Sequence, residues 1–376
     1  MKRILVTSTD SMMFIFLIPH INHLIKKGYK VDVACSLLPE FSNQSYISKI
    51  KDLLPSDCTV HCIRAARSPF SFRNYYGYKD LVKIFSNEKY DILWCNEPVV
   101  GFISRLAGRK FRLSGLKTLY MVHGFHFFSG GSIYNYILFP LEWFAAKFTD
   151  SLCVINKIDF EFAKRMFSID IHRINGIGFE SSKYSNTQIY RSNIRTRFGL
   201  KDSDFFLLSV GELNENKNHA TVIKSLALLK GCNIKYFICG VGGQLKKLQD
   251  LTKYYGISND VHFLGQRSDI SQLLGATDLF IHPSYREGLG VAPLEAMASG
   301  LAIITSNRHG INDYSHSGVT GYSCSPDDVS CFANSIKYMI MNPNIRKKMG
   351  VNNKFVASKY DIKKSVVEIE NLIISM

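Results

Sequence analysis

Two glutamates eight positions apart, Glu287 and Glu295, stand in the run His282-Pro283-Ser284-Tyr285-Arg286-Glu287-Gly288-Leu289-Gly290-Val291-Ala292-Pro293-Leu294-Glu295. The run reads as the end of a strand, a loop and the entry to a helix. Gly288 and Gly290 let backbone amides come close to a ligand. A helix start near Val291 offers unpaired N–H groups and a positive dipole end, both suited to phosphate. Carboxylates on either side accept hydrogen bonds from hydroxyls, which sugars supply. A sugar-bearing diphosphate is therefore one reading. A surface loop with one solvated glutamate and a second at the helix dipole is the other, and spacing alone does not choose between them.

Other candidates each carry a plain structural reading as well. His123 follows an apolar run and precedes Gly124; a lone histidine there is often a satisfied packing residue. His126 lies among Phe125, Phe127 and Phe128 and fits packing. His282 suits a structural hydrogen bond, and His309 and His316 read as loop residues. Asn96 and Glu97 end an apolar run before Pro98, so they are either acceptor contacts or a helix cap. No spacing of His, Cys or Asp makes a metal site, and neither metal nor cofactor is expected. Nine cysteines, an odd number without Cys-x-x-Cys, point to buried thiols rather than a disulfide framework or zinc.

The elements that must position these residues alternate between strand and helix. Residues 3–8, 30–36, 91–95, 118–122 and 151–155 read as buried parallel strands, as do 205–210, 234–239, 261–264, 279–282 and 302–305. Helical patterns fall near 218–230, 244–255, 291–299 and 326–341. With 376 residues, two α/β domains follow. The polar stretch 176–204 marks their boundary. The expected domains are 1–180 and 181–350, with a helix at 351–376 packing back on the first. Ligands of such folds bind outside the carboxyl ends of the strands, here in a cleft that both domains face.

Glu287 and Glu295, followed by Ala296-Met297-Ala298-Ser299-Gly300, resemble the paired-glutamate region of the retaining glycosyltransferase family 4. The resemblance extends to 210–218, 240–243, 261–265 and the strand 278–282. Val122-His123-Gly124-Phe125-His126-Phe127 is similar to a segment of enzymes that build bacterial capsule, exopolysaccharide and O-antigen repeats. The resemblance implies the GT-B architecture, two Rossmann-like parallel-sheet domains facing a cleft. It also implies donor contacts at Gly211, Lys217, Gly240, Arg267, Gly288 and Leu289. Glu295 would bind ribose, and Glu287 the donor sugar. The amides of Gly290, Val291 and Ala292 would face sugar and diphosphate, with Lys217 neutralising the latter. His123 would stand near the reacting centre, making His123, Lys217 and Glu287 the implied catalytic set. Asn96, Glu97 and His126 are the acceptor candidates. Two departures stand out. Glu212 occupies a position where relatives often carry a phosphate-pairing arginine; either Arg286 or Arg267 substitutes, or Lys217 and the amides suffice. The first loop, Ser8–Met13, contains no glycine.

Forty-six Lys and Arg against 31 Asp and Glu give a net charge of +15. Residues 1–180 carry 23 against 15 and residues 181–376 carry 23 against 16, so the excess is not a tail. Such a balance suits phosphate ligands or an anionic membrane. The segment 64–83 mixes five basic residues with Phe70, Phe72, Tyr75, Tyr76 and Tyr78. A second basic run covers 105–117. No apolar run is long enough to cross a bilayer and the N-terminus does not read as a signal peptide, so a cytoplasmic protein peripheral to the inner membrane face is expected. The expected activity is metal-independent, retaining transfer of a hexose or N-acetylhexosamine. The donor is a UDP-sugar and the acceptor a lipid-linked (undecaprenyl-diphosphate) saccharide. A sugar-nucleotide epimerase of the same architecture is the alternative. A nucleic-acid-binding protein is the other, though no nucleic-acid motif is found.

Overall fold

The computed structural model describes residues 2–37, 50, 52–125, 127, 136 and 138–376, apart from the side chain of Asp10. The chain forms two compact units, Met1–Gly178 with Ile362–Met376, and Phe179–Asp361.

The first unit holds a seven-stranded sheet. Its strands are β1 (Arg3–Asp10), β2 (Lys30–Ser36), β3 (Val60–Cys62), β4 (Ile92–Asn96), β5 (Lys117–Val122), β6 (Ser151–Val154) and β7 (Asp170–Arg173). All pairs are parallel, in the order β3-β2-β1-β4-β5-β6-β7. Every residue of β4 is buried, as a strand covered on both faces requires. The helices are α1 (Ser11–Lys26), α2 (Arg73–Asn87), α3 (Pro98–Gly108), α4 (Phe139–Ala146) and α5 (Lys157–Met166). Strand order reverses between β1 and β4, which opens a crevice at their carboxyl ends. The glycine-free segment expected as a loop is not one: β1 runs through Asp10 and α1 starts at Ser11.

The second unit holds β8 (Phe205–Val210), β9 (Ile234–Cys239), β10 (Val261–Gly265), β11 (Leu279–His282), β12 (Ile303–Ser306) and β13 (Gly321–Cys324). These are again parallel, in the order β10-β9-β8-β11-β12-β13. Its helices are α6 (Arg191–Arg197), α7 (His219–Ala227), α8 (Leu245–Tyr254), α9 (Ile270–Ala276), α10 (Val291–Ala298), α11 (Val329–Met341) and α12 (Pro343–Ala357). The reversal here lies between β8 and β11.

Three departures from the sequence reading have local causes. The stretch 176–204 is more than a connector: Arg191 and Arg195 of its helix α6 reach Asp278 at 2.7 and 3.3 Å. The same carboxylate accepts the Phe206 amide at 2.8 Å, tying α6 to the sheet. The terminal helix expected over 351–376 is two helices, α12 and Ile362–Ile374. The break between them is held by Phe179 N–H donating to the Tyr360 carbonyl at 3.2 Å and Ser181 N–H to Asp361 at 3.3 Å. The last helix belongs to the first unit, where His20 meets Ser365 at 3.0 Å and His23 meets Glu370 at 2.6 Å. Finally, Cys324 and Cys331 form a disulfide, against the expectation of free thiols; five of the other seven cysteines are buried.

Candidate functional site

Four strands of the second unit deliver the donor candidates to one edge of its sheet. Gly211 follows β8, Gly240 follows β9, Arg267 lies just past β10, and the Glu287 loop follows β11. Gly240 has φ +153°, and a Cβ there would stand 1.9 Å from the Gly211 carbonyl oxygen. Only glycine permits that approach of two backbones. Past it, Leu213 N–H donates to the Val241 carbonyl at 3.0 Å, fixing the start of the Lys217 loop.

That loop is stitched to the Glu287 loop. Tyr285 N–H donates to the Asn216 carbonyl at 2.8 Å, and Asn216 Nδ2 donates to the Arg286 carbonyl at 2.9 Å. Asn218, buried with φ +53°, donates to the carbonyls of Pro283 and Pro326 at 3.2 and 2.9 Å. The stitching places Lys217 Nζ 2.5 Å from Glu287 Oε1. His282 Nε2 lies 3.1 Å from the same oxygen and 3.1 Å from Ser284 Oγ. Burial works against a charge on Glu287, but His282 and Lys217 outweigh it and hold the carboxyl far below the usual range. Burial pushes the His282 pKa down, and its bond to Glu287 opposes that fall. The site thus contains a fixed carboxylate with a lysine ammonium across it.

Gly290, at φ +84°, opens α10 without a side-chain cap. The first amides of α10 and its positive dipole end are thus left to a ligand. Tyr314 OH donates to the Leu289 carbonyl at 2.9 Å and holds the turn. Glu295, one helical turn inside α10, accepts from Tyr184 OH at 2.6 Å. Burial raises its pKa and the Tyr184 bond opposes the rise. The Arg267 guanidinium is held by Asp269 at 2.8 and 2.5 Å, and Glu212 is exposed and bonded by Asn214 at 2.9 Å.

At the crevice of the first unit a buried histidine and a carboxylate follow the strand ends. Asn96 has no exposed surface. Its Nδ2 donates to the Thr7 carbonyl at 3.2 Å, and its Oδ1 lies 3.0 Å from His123 Nε2. Because the amide nitrogen is committed to Thr7, Oδ1 must accept, so His123 carries its proton on Nε2 and leaves Nδ1 as an acceptor. Burial lowers the His123 pKa to about 4. Asn96 therefore holds His123 rather than presenting itself to an acceptor. Glu97, at φ +62°, accepts from Ser8 Oγ and the Thr9 amide, both at 2.7 Å. His126 lies outside the described residues.

His282 makes the structural hydrogen bond expected of it, to Glu287. Sequence reasoning passed over two other residues of the site. His309, read as a loop residue, is buried, with Nδ1 3.2 Å from the Glu287 carbonyl. Tyr184 sits in a segment read as linker. Neither His309 nor Tyr184 belongs to a motif, so only the fold reveals them. The chain's one Asp-x-Asp, Asp202 and Asp204, precedes β8 at the far end of that strand from the site. Among the described residues no group of three or more His, Cys, Asp or Glu is placed to hold a metal ion. A cavity of about 400 Å³, lined in part by Asn214, Lys224, Lys247 and Asp327, lies beside the Lys217 loop; neither glutamate lines it.

Residues 191–355 match the family described as glycosyl transferases group 1, and residues 3–156 the glycosyl transferase 4-like family. EpsD of Bacillus subtilis, described as a glycosyltransferase, is 32% identical over 312 residues, 81% of this chain and 82% of that protein. The chain belongs to this glycosyltransferase family, and its fold is GT-B. The UDP-Gal:alpha-D-GlcNAc-diphosphoundecaprenol alpha-1,3-galactosyltransferase of Escherichia coli is 29% identical over 339 residues, 84% of each chain. The crystal structure of HepE from Anabaena, in complex with UDP and glucose, matches with a TM-score of 0.82 at 19% identity over all of both chains.

Proposed function

We propose that this glycosyltransferase moves a hexose or N-acetylhexosamine from a UDP-sugar to a lipid-linked, diphosphate-bearing saccharide during surface polysaccharide synthesis. The reaction runs with retention and without a metal, at the inner face of the cytoplasmic membrane. The observation that carries the donor assignment is the Lys217–Glu287 pair beside the uncapped start of α10. The acceptor class is supported by the Escherichia coli relative, whose acceptor is a diphosphoundecaprenol-linked sugar.

In this reading Glu295 accepts from the ribose hydroxyls and Glu287 from hydroxyls of the donor sugar. As the bond between the sugar anomeric carbon and the β-phosphate oxygen breaks, negative charge grows on that oxygen. Lys217 and the amides of Gly290, Val291 and Ala292 stabilise it where it develops. The acceptor oxygen bonds to the same face of the anomeric carbon, and its proton passes to the departing phosphate. No protein nucleophile is consumed. His123 Nδ1 accepts a sugar hydroxyl and so orients the ring. Glu97 and the neighbouring crevice of the first unit serve the acceptor.

Donor screening by calorimetry, followed by mass spectrometry with short lipid-diphosphate acceptors, tests the proposal. A UDP-sugar should bind and one sugar should be added to the acceptor. Conversion of a UDP-sugar to its epimer without acceptor would replace transfer with epimerisation. Full transfer rates in both Glu287→Ala and Lys217→Ala would remove the site assignment.

A further inference from the structure

An apolar cavity of about 440 Å³ opens on the first unit between α2, α3 and α4, walled by Tyr75, Tyr78, Phe102, Leu106, Leu138 and Leu141. Its one carboxylate, Glu142, is buried, and both oxygens are spent: Arg105 Nη2 lies at 2.6 Å and Tyr120 OH at 3.0 Å. The wall therefore presents hydrocarbon rather than charge. A smaller space shares Pro98, Leu138 and Glu142 with the cavity and reaches Gly124, next to His123. The cavity thus lies next to the residues that flank His123.

The wall residues Pro69, Tyr75 and Leu141 are neighboured in sequence by aromatic and basic residues. Phe70 and Phe72 are 82% and 90% exposed. Lys79 Nζ stands 4.6 Å from the Tyr75 ring, and Lys147 Nζ stands 5.1 Å from the Trp143 ring. The one acid in segment 64–83, Asp80, is engaged by Arg64 at 2.6 and 2.9 Å. Cations and exposed rings beside an apolar hollow are complementary to an anionic amphiphile with a single long chain.

We propose that this cavity holds the first isoprene units of a polyprenyl acceptor, with these cations facing its phosphates. The inference rests on the lipid-linked acceptor of the proposed function and adds where the chain sits. It predicts that chain length is read by the protein itself and does not need a bilayer.

Titration with inorganic phosphate, geranyl phosphate and farnesyl phosphate, below micelle concentrations and without membranes, tests this. Each buried methylene contributes about 0.8 kcal/mol, so farnesyl phosphate should bind at least ~10-fold tighter than geranyl phosphate. Leu106→Trp, at a half-buried wall position, should abolish the gain while leaving the UDP isotherm unchanged, which shows that the variant is folded. Lys79→Glu should weaken all prenyl phosphates and flatten their salt dependence. Equal affinity for all three probes, or an unchanged chain-length gain in Leu106→Trp, would overturn the inference. So would a dimer of the native chain that Leu106→Trp dissolves without any prenyl binding, because the hollow would then be an interface between copies. Prenyl binding without UDP binding would leave the cavity standing and sink the donor assignment instead.

Discussion

The two sheets share a parallel topology with one reversal each, yet their carboxyl edges carry different chemistry. At the edge of β8 and β11, Lys217, Glu287 and His282 share one oxygen within 3.1 Å, beside the positive end of α10. At the edge of β1 and β4, Asn96, His123 and the Thr7 carbonyl form an uncharged chain beside the Glu97 carboxylate, with an apolar hollow nearby. A lysine beside a helix start suits a ligand whose negative charge is constant, as a nucleoside diphosphate is. An edge of hydrogen-bond acceptors suits a partner recognised by shape and hydroxyls. The fold supplies the crevice twice, and the side chains divide the labour.

The largest effect should come from removing the cation at the edge of β8 and β11. Lys217→Ala should lower kcat by about 10²–10³, as loss of one transition-state donor does. It also leaves the mostly buried Glu287 bonded to His282 but without its cation, a loss that a fall in Tm would register. Adding Glu287→Gln should restore the Tm but not kcat, which separates stability from catalysis. The held-down carboxyl has a stability consequence in the native chain as well. Its contribution is full above the ordinary glutamate value of 4.5 and is lost as pH falls through the lower folded value.

At the edge of β1 and β4, Asn96→Asp should act on His123. A carboxylate against Nε2 favours the imidazolium and raises its pKa from about 4 by at least about one unit. Histidine resonances followed against pH would report the change, and the acid limb of the kcat profile should move upward with it. An unmoved titration would show that Asn96 does not govern this ring.

UDP binding should weaken as pH falls toward the raised pKa of Glu295, because ribose hydroxyls need the ionised carboxylate. Glu295→Gln should flatten that dependence and cost about tenfold in affinity, the value of one charged hydrogen bond. The smallest change is expected from Tyr184→Phe. Losing one bond to Glu295, worth about 1 kcal/mol, should weaken UDP about fivefold and raise the Glu295 pKa further. Calorimetry across pH reads both effects.

Much of this was legible in the sequence. The strands β1, β2, β4–β6 and β8–β12 announce themselves as apolar runs, and Glu287, Glu295 and Lys217 lie in motifs. Other features leave no local trace. β3, β7 and β13 are three or four residues long and only partly buried, so their apolar pattern is weak. The break between α12 and the last helix is imposed by Phe179 and Ser181, which are remote in sequence. His309 and Tyr184 matter through what they touch, and contact is a property of the folded chain. Asn96 was visible as a strand-end residue, but its orientation was not, and orientation decides that it serves His123.

A crystal soaked with UDP tests the donor site most directly. The diphosphate should lie within hydrogen-bonding reach of Lys217 Nζ and the amides of Gly290–Ala292, with the ribose on Glu295. Nucleotide bound anywhere else, such as in the hollow lined by Lys224 and Lys247, would contradict that site.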